Sequence, residues 1–227
     1  LSLLNDKAAL AQLAQRLGIA VPQSFAPELG ESVAHFAAHT ALPCVVKPLC
    51  GEAFGLAAAQ RYVIARTPQA LEEAYTRFFA LTNSAPVVQE YLPGAALGCS
   101  VLAKDGHVLA SIAHRRVREY PVTGGPSSCC RVTDEAPLLR AVCALVRETG
   151  FSGVAMFEFK CGADGAPRLL ECNPRVWGTY PLTRAAGTNF SYLWCCAALG
   201  TELPAYIRPQ AVKMTYQPAD LAAGLGY

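Results

Sequence analysis

No apolar run in this chain of 227 residues reaches membrane-spanning length; each is broken first by Gly, Pro or a charge. Charge is scarce too, at 16% of residues with a formal net charge of +2, and the only local basic cluster is His114-Arg115-Arg116-Val117-Arg118. Neither a membrane span nor a nucleic-acid surface is expected of that balance. Internal repeats and low-complexity tracts are lacking. The opening Leu1-Ser2-Leu3-Leu4-Asn5-Asp6-Lys7 is too short and too soon polar for a secretory signal, and it lacks an initiator Met, as a fragment or a trimmed chain would. Ten cysteines are present, but none stands in C-x-x-C spacing. The adjacent pairs Cys129-Cys130 and Cys195-Cys196, and the strand-like Cys44, Cys99 and Cys172, read as reduced small hydrophobes of a cytoplasmic protein.

What the chain does have is apolar substance, 52% of its residues, enough for one large domain or two lobes. Asn5 or Asp6 caps a helix that turns Leu10, Leu13 and Leu17 inward and stops at Gly18. A helix is expected from Glu31 to His39, a strand over Cys44-Val45-Val46-Lys47, and another near Arg61 to Ile64. Thr67-Pro68 opens a further helix with Pro at its first position. The strand Pro86 to Leu92 ends at Pro93-Gly94, which we take as the boundary between lobes: residues 1–92 hold the N-terminal helix and a small lobe, residues 93–227 a larger one. In the latter, a hairpin is expected around Asp105-Gly106, a helix from Asp134 to Gly150, and helical segments from about Thr179 and Ser191. Strands and helices mix without a βαβ rhythm, which predicts an α+β fold.

The chemistry concentrates in Glu171-Cys172-Asn173-Pro174-Arg175 and in Glu158, thirteen positions before Glu171. Asp164-Gly165 lies between them and is a strong hairpin signal. With those two as the central turn residues, Ala163 pairs with Ala166 and Glu158 falls directly opposite Glu171, where Cβ atoms are about 5 Å apart and bare carboxylates repel. Asn173 is two residues on and shares the face of Glu171. Two carboxylates and an amide oxygen on one face suit a hard cation such as Mg²⁺, with phosphate completing its sphere. The same pair also reads as a glycosidase-like acid and base, or as a salt-bridged face with Lys160 and Arg168 as partners. Pro167 could slip the register by one residue and turn one glutamate away.

Weaker signals accompany this one. Lys47 ends a buried-looking strand before the loop Gly51–Gly55, which suits nucleotide phosphates or is an ordinary turn. Gln89-Glu90-Tyr91-Leu92 offers backbone groups that can read an adenine edge, or is merely the polar end of a strand. Arg115, Arg116, Arg118 and Arg131 flank Gly125-Pro126-Ser127-Ser128 and form either an anion clamp or a solvated strand face.

Taken in order, Asn5-Asp6-Lys7, Val45-Val46-Lys47-Pro48, Gln89 to Gly94, Phe157-Glu158-Phe159 and Glu171-Cys172-Asn173-Pro174-Arg175 resemble the ATP-grasp superfamily, over most of the chain. The last of these elements is similar to that of carbamoyl-phosphate synthetase and related carboxylate–amine ligases. Arg118-Glu119-Tyr120-Pro121 with Gly124-Gly125 resembles one subgroup. The resemblance implies an ATP-grasp fold, two α+β lobes with ATP held between them. It implies that Lys7 and Lys47 contact phosphates, that the Gly51–Gly55 loop closes over them, and that Gln89, Glu90, Tyr91 and Leu92 line the adenine site. Glu158, Glu171 and Asn173 would hold one or two Mg²⁺ ions, with Mn²⁺ as a substitute, and Arg175, Lys47 and Arg131 would serve catalysis. The implied reaction turns a small-molecule carboxylate into an acyl phosphate that an amine or ammonia captures. A nucleotide-binding module without ligase activity, or a carbamoyl-phosphate-type phosphotransfer domain, stays open, as does a homodimer. Ala95 and Ala96 stand where relatives usually carry an acid for the ribose, and Glu52-Ala53-Phe54-Gly55 is a poorer glycine loop than is usual. The domain that commonly precedes the core and helps to form the acceptor site lies outside these residues.

Overall fold

The computed structural model describes residues 2–48, 54–56, 60–122, 125–134, 136–204 and 209–226. It divides into two compact units, Pro22–Pro93 and, together, Leu1–Val21 with Gly94–Tyr227. The expected grouping of the first helix with the small lobe is thereby corrected. Helices α1 (Ser2–Asn5) and α2 (Lys7–Arg16) belong with the later residues, because Leu4, Leu10 and Leu13 are buried with Leu97, Val101, Phe157 and Leu169. Asp6 caps α2, its Oδ1 accepting from the N–H groups of Ala8 and Ala9 at 2.9 and 3.0 Å.

Within Pro22–Pro93, strands β1 (Ser24–Phe25), β2 (Cys44–Lys47), β3 (Val63–Ala65) and β4 (Val87–Glu90) form an antiparallel sheet in the order β1-β4-β2-β3. Helices α3 (Val33–His39) and α4 (Pro68–Thr82) pack on it, burying Phe36, Leu71, Tyr75 and Phe78 against Val46 and Val88. Pro68 occupies the first turn of α4, where its missing N–H costs nothing, and Thr67 caps it through Ala70 N–H.

The larger unit is built on a six-stranded antiparallel sheet: β5 (Ala96–Lys104), β6 (His107–Glu119), β7 (Ser127–Thr133), β8 (Gly153–Cys161), β9 (Pro167–Asn173) and β10 (Lys213–Thr215), in the order β10-β7-β6-β5-β8-β9. One face carries Leu97, Cys99, Val101 and Ala103 against α5 (Ala136–Thr149), whose Leu138, Val142, Leu145 and Val146 recur at helical spacing. On the other face Leu102, Ile112 and Met156 pack against Trp177 and Phe190, in the region of α6 (Tyr180–Ala185) and α7 (Phe190–Leu199). Cover on both faces explains why β5 is buried almost throughout instead of in alternation. Helix α8 (Ala219–Gly224) is tied to the sheet by Asp220, which accepts from Arg118 Nε at 2.8 Å and from Ser128 Oγ at 3.2 Å. Strands β1, β7 and β10 and helix α8 are absent from the expectations above, being short or flanked by Pro and Gly. The described cysteines are all free thiols, and among the described residues no helix is long and apolar enough to cross a membrane.

Gly98, at the middle of the sheet, is required by close approach. A Cβ there would collide with the ring of His114 on β6, the residue paired with it, lying 2.7 Å from Nε2 and closer still to Cε1. His114 is buried and has no room to retreat. Gly98→Ala should therefore lower stability by about 1–3 kcal/mol, the usual cost of overpacking, seen as a fall in the urea midpoint. Adding His114→Ala should recover part of it; an unchanged midpoint in Gly98→Ala would refute the close approach.

Candidate functional site

The hairpin of β8 and β9 does place Glu158 opposite Glu171, but by a different route from the expected one. Its turn has three residues, Ala163-Asp164-Gly165, closed by Gly165 N–H to Gly162 O at 3.1 Å and Gly162 N–H to Ala166 O at 3.0 Å. Gly165 adopts φ +75°, the left-handed position that such a turn assigns to glycine. This shifts the pairing by one residue, so that Cys161 meets Pro167 and Phe159 meets Leu169. A bulge at Leu170 then shifts it back, and Glu158 meets Glu171 and Met156 meets Asn173. Without the bulge, the two glutamates would lie on opposite faces.

Asn173 links the pair. Its Nδ2 lies 3.3 Å from Glu158 Oε1 and 3.4 Å from Glu171 Oε1. A half-turn of this amide would present its oxygen instead, completing a set of three hard oxygen donors able to hold Mg²⁺. Two cations face the carboxylates. Lys7 Nζ, from the first turn of α2, sits 2.7 Å from Glu171 Oε2. Glu171 thus offsets the unfavourable meeting of an ammonium with the positive end of the helix dipole. Arg116 Nη2 donates to Glu158 Oε2 at 2.8 Å and its Nη1 lies 3.7 Å from Glu119. Arg116 is on β6 and Glu158 on β8, two strand spacings or about 10 Å apart. The intervening β5 carries the small Ala96 and Gly98, which leave the arginine room to cross. That spacing of small residues is the signal in the sequence for this contact, although nothing local marks Arg116 among the several arginines of its cluster.

Burial is the largest influence on Glu158 and raises its pKa above the ordinary carboxylate range; Arg116 and Lys7 work against this, and Glu171 and Glu119 add to it. Burial also works against the charge of Arg116, but Glu158, Glu119 and Glu171 outweigh it and hold the guanidinium firmly protonated. Lys7 and Arg116 thus stand beside three carboxylates, Glu158, Glu171 and Glu119. Beside this cluster, burial and Arg116 lower the pKa of His114 to about 4, leaving a neutral imidazole whose Nε2 meets Thr179 Oγ1 at 3.2 Å. The proposed partner role of Arg168 goes elsewhere, to Asp164 at 3.1 Å.

Arg175 is exposed just beyond β9, its Nη1 donating to Val176 O. Arg131 is not brought to the cluster. It pairs with Arg115 on the rung that continues through Leu97 to Phe159, and so projects from the sheet face opposite to Glu158. Lys47, Gly55, Gln89, Glu90, Tyr91 and Leu92 belong to the smaller unit. Lys47 ends β2 opposite Val87, Gln89 pairs with Val45, and Glu90 N–H donates to Gln23 O at 2.8 Å. Tyr91 lies under Arg66, 5.7 Å from ring centroid to guanidinium, and Leu92 is buried. Gly51, and with it most of the Gly51–Gly55 loop, lies outside the described residues, as does Gly124.

The raised pKa of Glu158 has a consequence for stability. A carboxyl that binds its proton more tightly when folded contributes stability at low pH that is lost as pH rises through the folded value. In chelator, Glu158→Gln should remove that loss, so that the stability of the variant relative to the wild type rises with pH. Urea unfolding across pH is the measurement; a constant offset between the two proteins would refute the assignment.

Comparison with known proteins adds the wider frame. No curated protein matches this chain in sequence. Among solved structures it is similar to the biotin carboxylase domain of the Hydrogenobacter thermophilus 2-oxoglutarate carboxylase, determined with MgADP, ADP and bicarbonate (TM-score 0.69, 17% identity, 92% of this chain and 49% of that one). It is similar also to an L-amino acid ligase from Bacillus licheniformis (TM-score 0.63, 21% identity, 92% and 52%). N5-carboxyaminoimidazole ribonucleotide synthetase from Thermus thermophilus gives TM-score 0.68, 18% identity, 94% and 57%. The chain thus spans about half the length of these structures, and at such identity the likeness concerns the fold. Residues 83–219, more than half of the chain, match the family described as ATP-grasp in the biosynthetic pathway with Ter operon, and the chain belongs to the ATP-grasp superfamily.

Proposed function

We propose that this chain is the ATP- and Mg²⁺-binding part of a ligase that activates a small-molecule carboxylate as an acyl phosphate, for capture by an amine or ammonia. The observation that carries the reading is the convergence of Glu158, Glu171 and Asn173 on one face. Its support from comparison is that one structural relative was solved with MgADP and another is an L-amino acid ligase.

In this reading Glu158, Glu171 and the Asn173 oxygen hold Mg²⁺, and Lys7 and Arg116 turn from the carboxylates toward phosphate oxygens once the cation has taken their place. Lys47 serves as a further phosphate contact, with Gln89, Glu90, Tyr91 and Leu92 on the adenine side, and Arg175 steadies the transferred phosphoryl group. Bound MgATP would supply the electrophilic γ-phosphorus. The substrate carboxylate attacks it and ADP leaves; the amine then displaces phosphate from the acyl group. Two anions must meet in the first step, so fixed positive charge is what the protein has to contribute.

Calorimetric titration of ATP into the chain should show binding that needs Mg²⁺ and is lost in Glu171→Gln. Binding indifferent to both Mg²⁺ and that substitution would remove the metal assignment. In the whole protein that contains this chain, Arg175→Ala should slow ADP release by about a hundredfold with ATP affinity kept, the scale of losing one charge-stabilising donor. A nucleotide-binding module without turnover is the competing reading, favoured by Ala95 and Ala96 at the usual ribose-binding position. It predicts that ADP release is not stimulated by any carboxylate and amine pair.

A further inference from the structure

The smaller unit carries a second constellation of donor atoms. Glu31, His35 and His39 recur every four residues along α3 and the turn before it. One donor atom from each lies within 4.8 Å of the others. We propose that these three side chains form a binding site for a divalent ion of the zinc type.

The geometry follows from helix construction. Residues four apart lie on one face and successive side chains lean toward the helix N-terminus. His39 therefore leans back over His35, and His35 toward Glu31, closing an axial separation that the backbone alone would leave too wide. The two imidazole rings stand 5.0 Å apart at 60°. Glu31 Oε1 lies 2.6 Å from His35 Nδ1 and 3.4 Å from His39 Nε2. Ligand atoms around tetrahedral Zn²⁺ are about 3.4 Å apart, given bonds of roughly 2.1 Å. The Glu31–His39 distance already matches, and the Glu31–His35 distance must open by less than one ångström as the ion replaces the bridging proton.

The donor set is also held in place. Glu31 Oε2 accepts the N–H of Glu28 at 2.8 Å, and Glu31 N–H returns to Glu28 O at 3.0 Å, so the carboxylate is oriented before any ion arrives. That backbone contact is the largest influence on Glu31, followed by His35, and together they keep its carboxyl ionised below the usual range. Ser32 Oγ caps the helix through His35 N–H at 3.2 Å. Phe36 meets the His39 ring edge-on at 6.2 Å. Both imidazoles are exposed, with side-chain exposures of 74% and 56%, so an ion reaches them from solvent without opening the fold. Two imidazoles and one carboxylate select Zn²⁺ and its neighbours over Mg²⁺, and leave a fourth position for water or an outside ligand. The bound ion would brace the Glu28–Glu31 turn against α3.

Cobalt and zinc titrations of the intact chain test this. Co²⁺ should give visible d–d bands of a nitrogen- and oxygen-ligated ion, without the thiolate charge-transfer absorption that the cysteines would bring. Zn²⁺ should displace it at one equivalent and raise the melting temperature with concentration. His35→Ala and His39→Ala should each weaken binding by about tenfold or more, and their circular dichroism should match the wild type. Absence of binding would overturn the proposal. So would an affinity unchanged in both variants, or cobalt spectra dominated by thiolate absorption.

Discussion

Two carboxylates held opposite each other on neighbouring strands repel, and much of the larger unit is arranged around tolerating that repulsion. Glu158 and Glu171 could be separated simply by a one-residue slip, which would send one of them to the opposite face. The bulge at Leu170 prevents the slip by compensating for the three-residue turn at Ala163-Asp164-Gly165. The pair then needs positive charge close by, and two different parts of the chain provide it.

Those counter-charges explain features that otherwise look unrelated. Lys7 is useful only if α2 belongs to the unit that holds β9, and the burial of Leu10 and Leu13 with Leu169 puts it there. Arg116 is useful only if the strand between it and Glu158 is nearly bare on that face, and Ala96 and Gly98 keep it so. Gly98 also accommodates His114, so one glycine serves both a neutral buried imidazole and an arginine crossing the sheet. The result is a cluster in which burial raises the pKa of Glu158 while Arg116 and Lys7 oppose that rise.

The smaller unit shows the contrasting case. Its core is a four-stranded sheet under two helices, closed by Phe36, Tyr75 and Phe78, and needs no buried charge. Its constellation of Glu31, His35 and His39 lies on α3 and the turn before it, with both imidazoles exposed, so the proposed ion would add to the fold instead of depending on buried charge.

The sequence by itself determined the local part of the site. Alternation along a strand put Glu171 and Asn173 on one face, Asp164-Gly165 marked a hairpin, and Thr67-Pro68 and the pair Asn5-Asp6 marked helix starts, because each depends on contacts between residues only a few positions apart. The α+β class was legible for the same reason. The route to the Glu158–Glu171 register was not, since a turn extended by one residue and a bulge cancel and leave no separate trace in the pattern. Nor was the choice of counter-charge. Lys7 and Arg116 are far from the glutamates in the chain, and nothing local distinguishes Arg116 from Arg131, one strand away. Only the assembled sheet, with its two faces and its small residues on β5, decided that Arg116 meets Glu158 and that Arg131 projects from the other side.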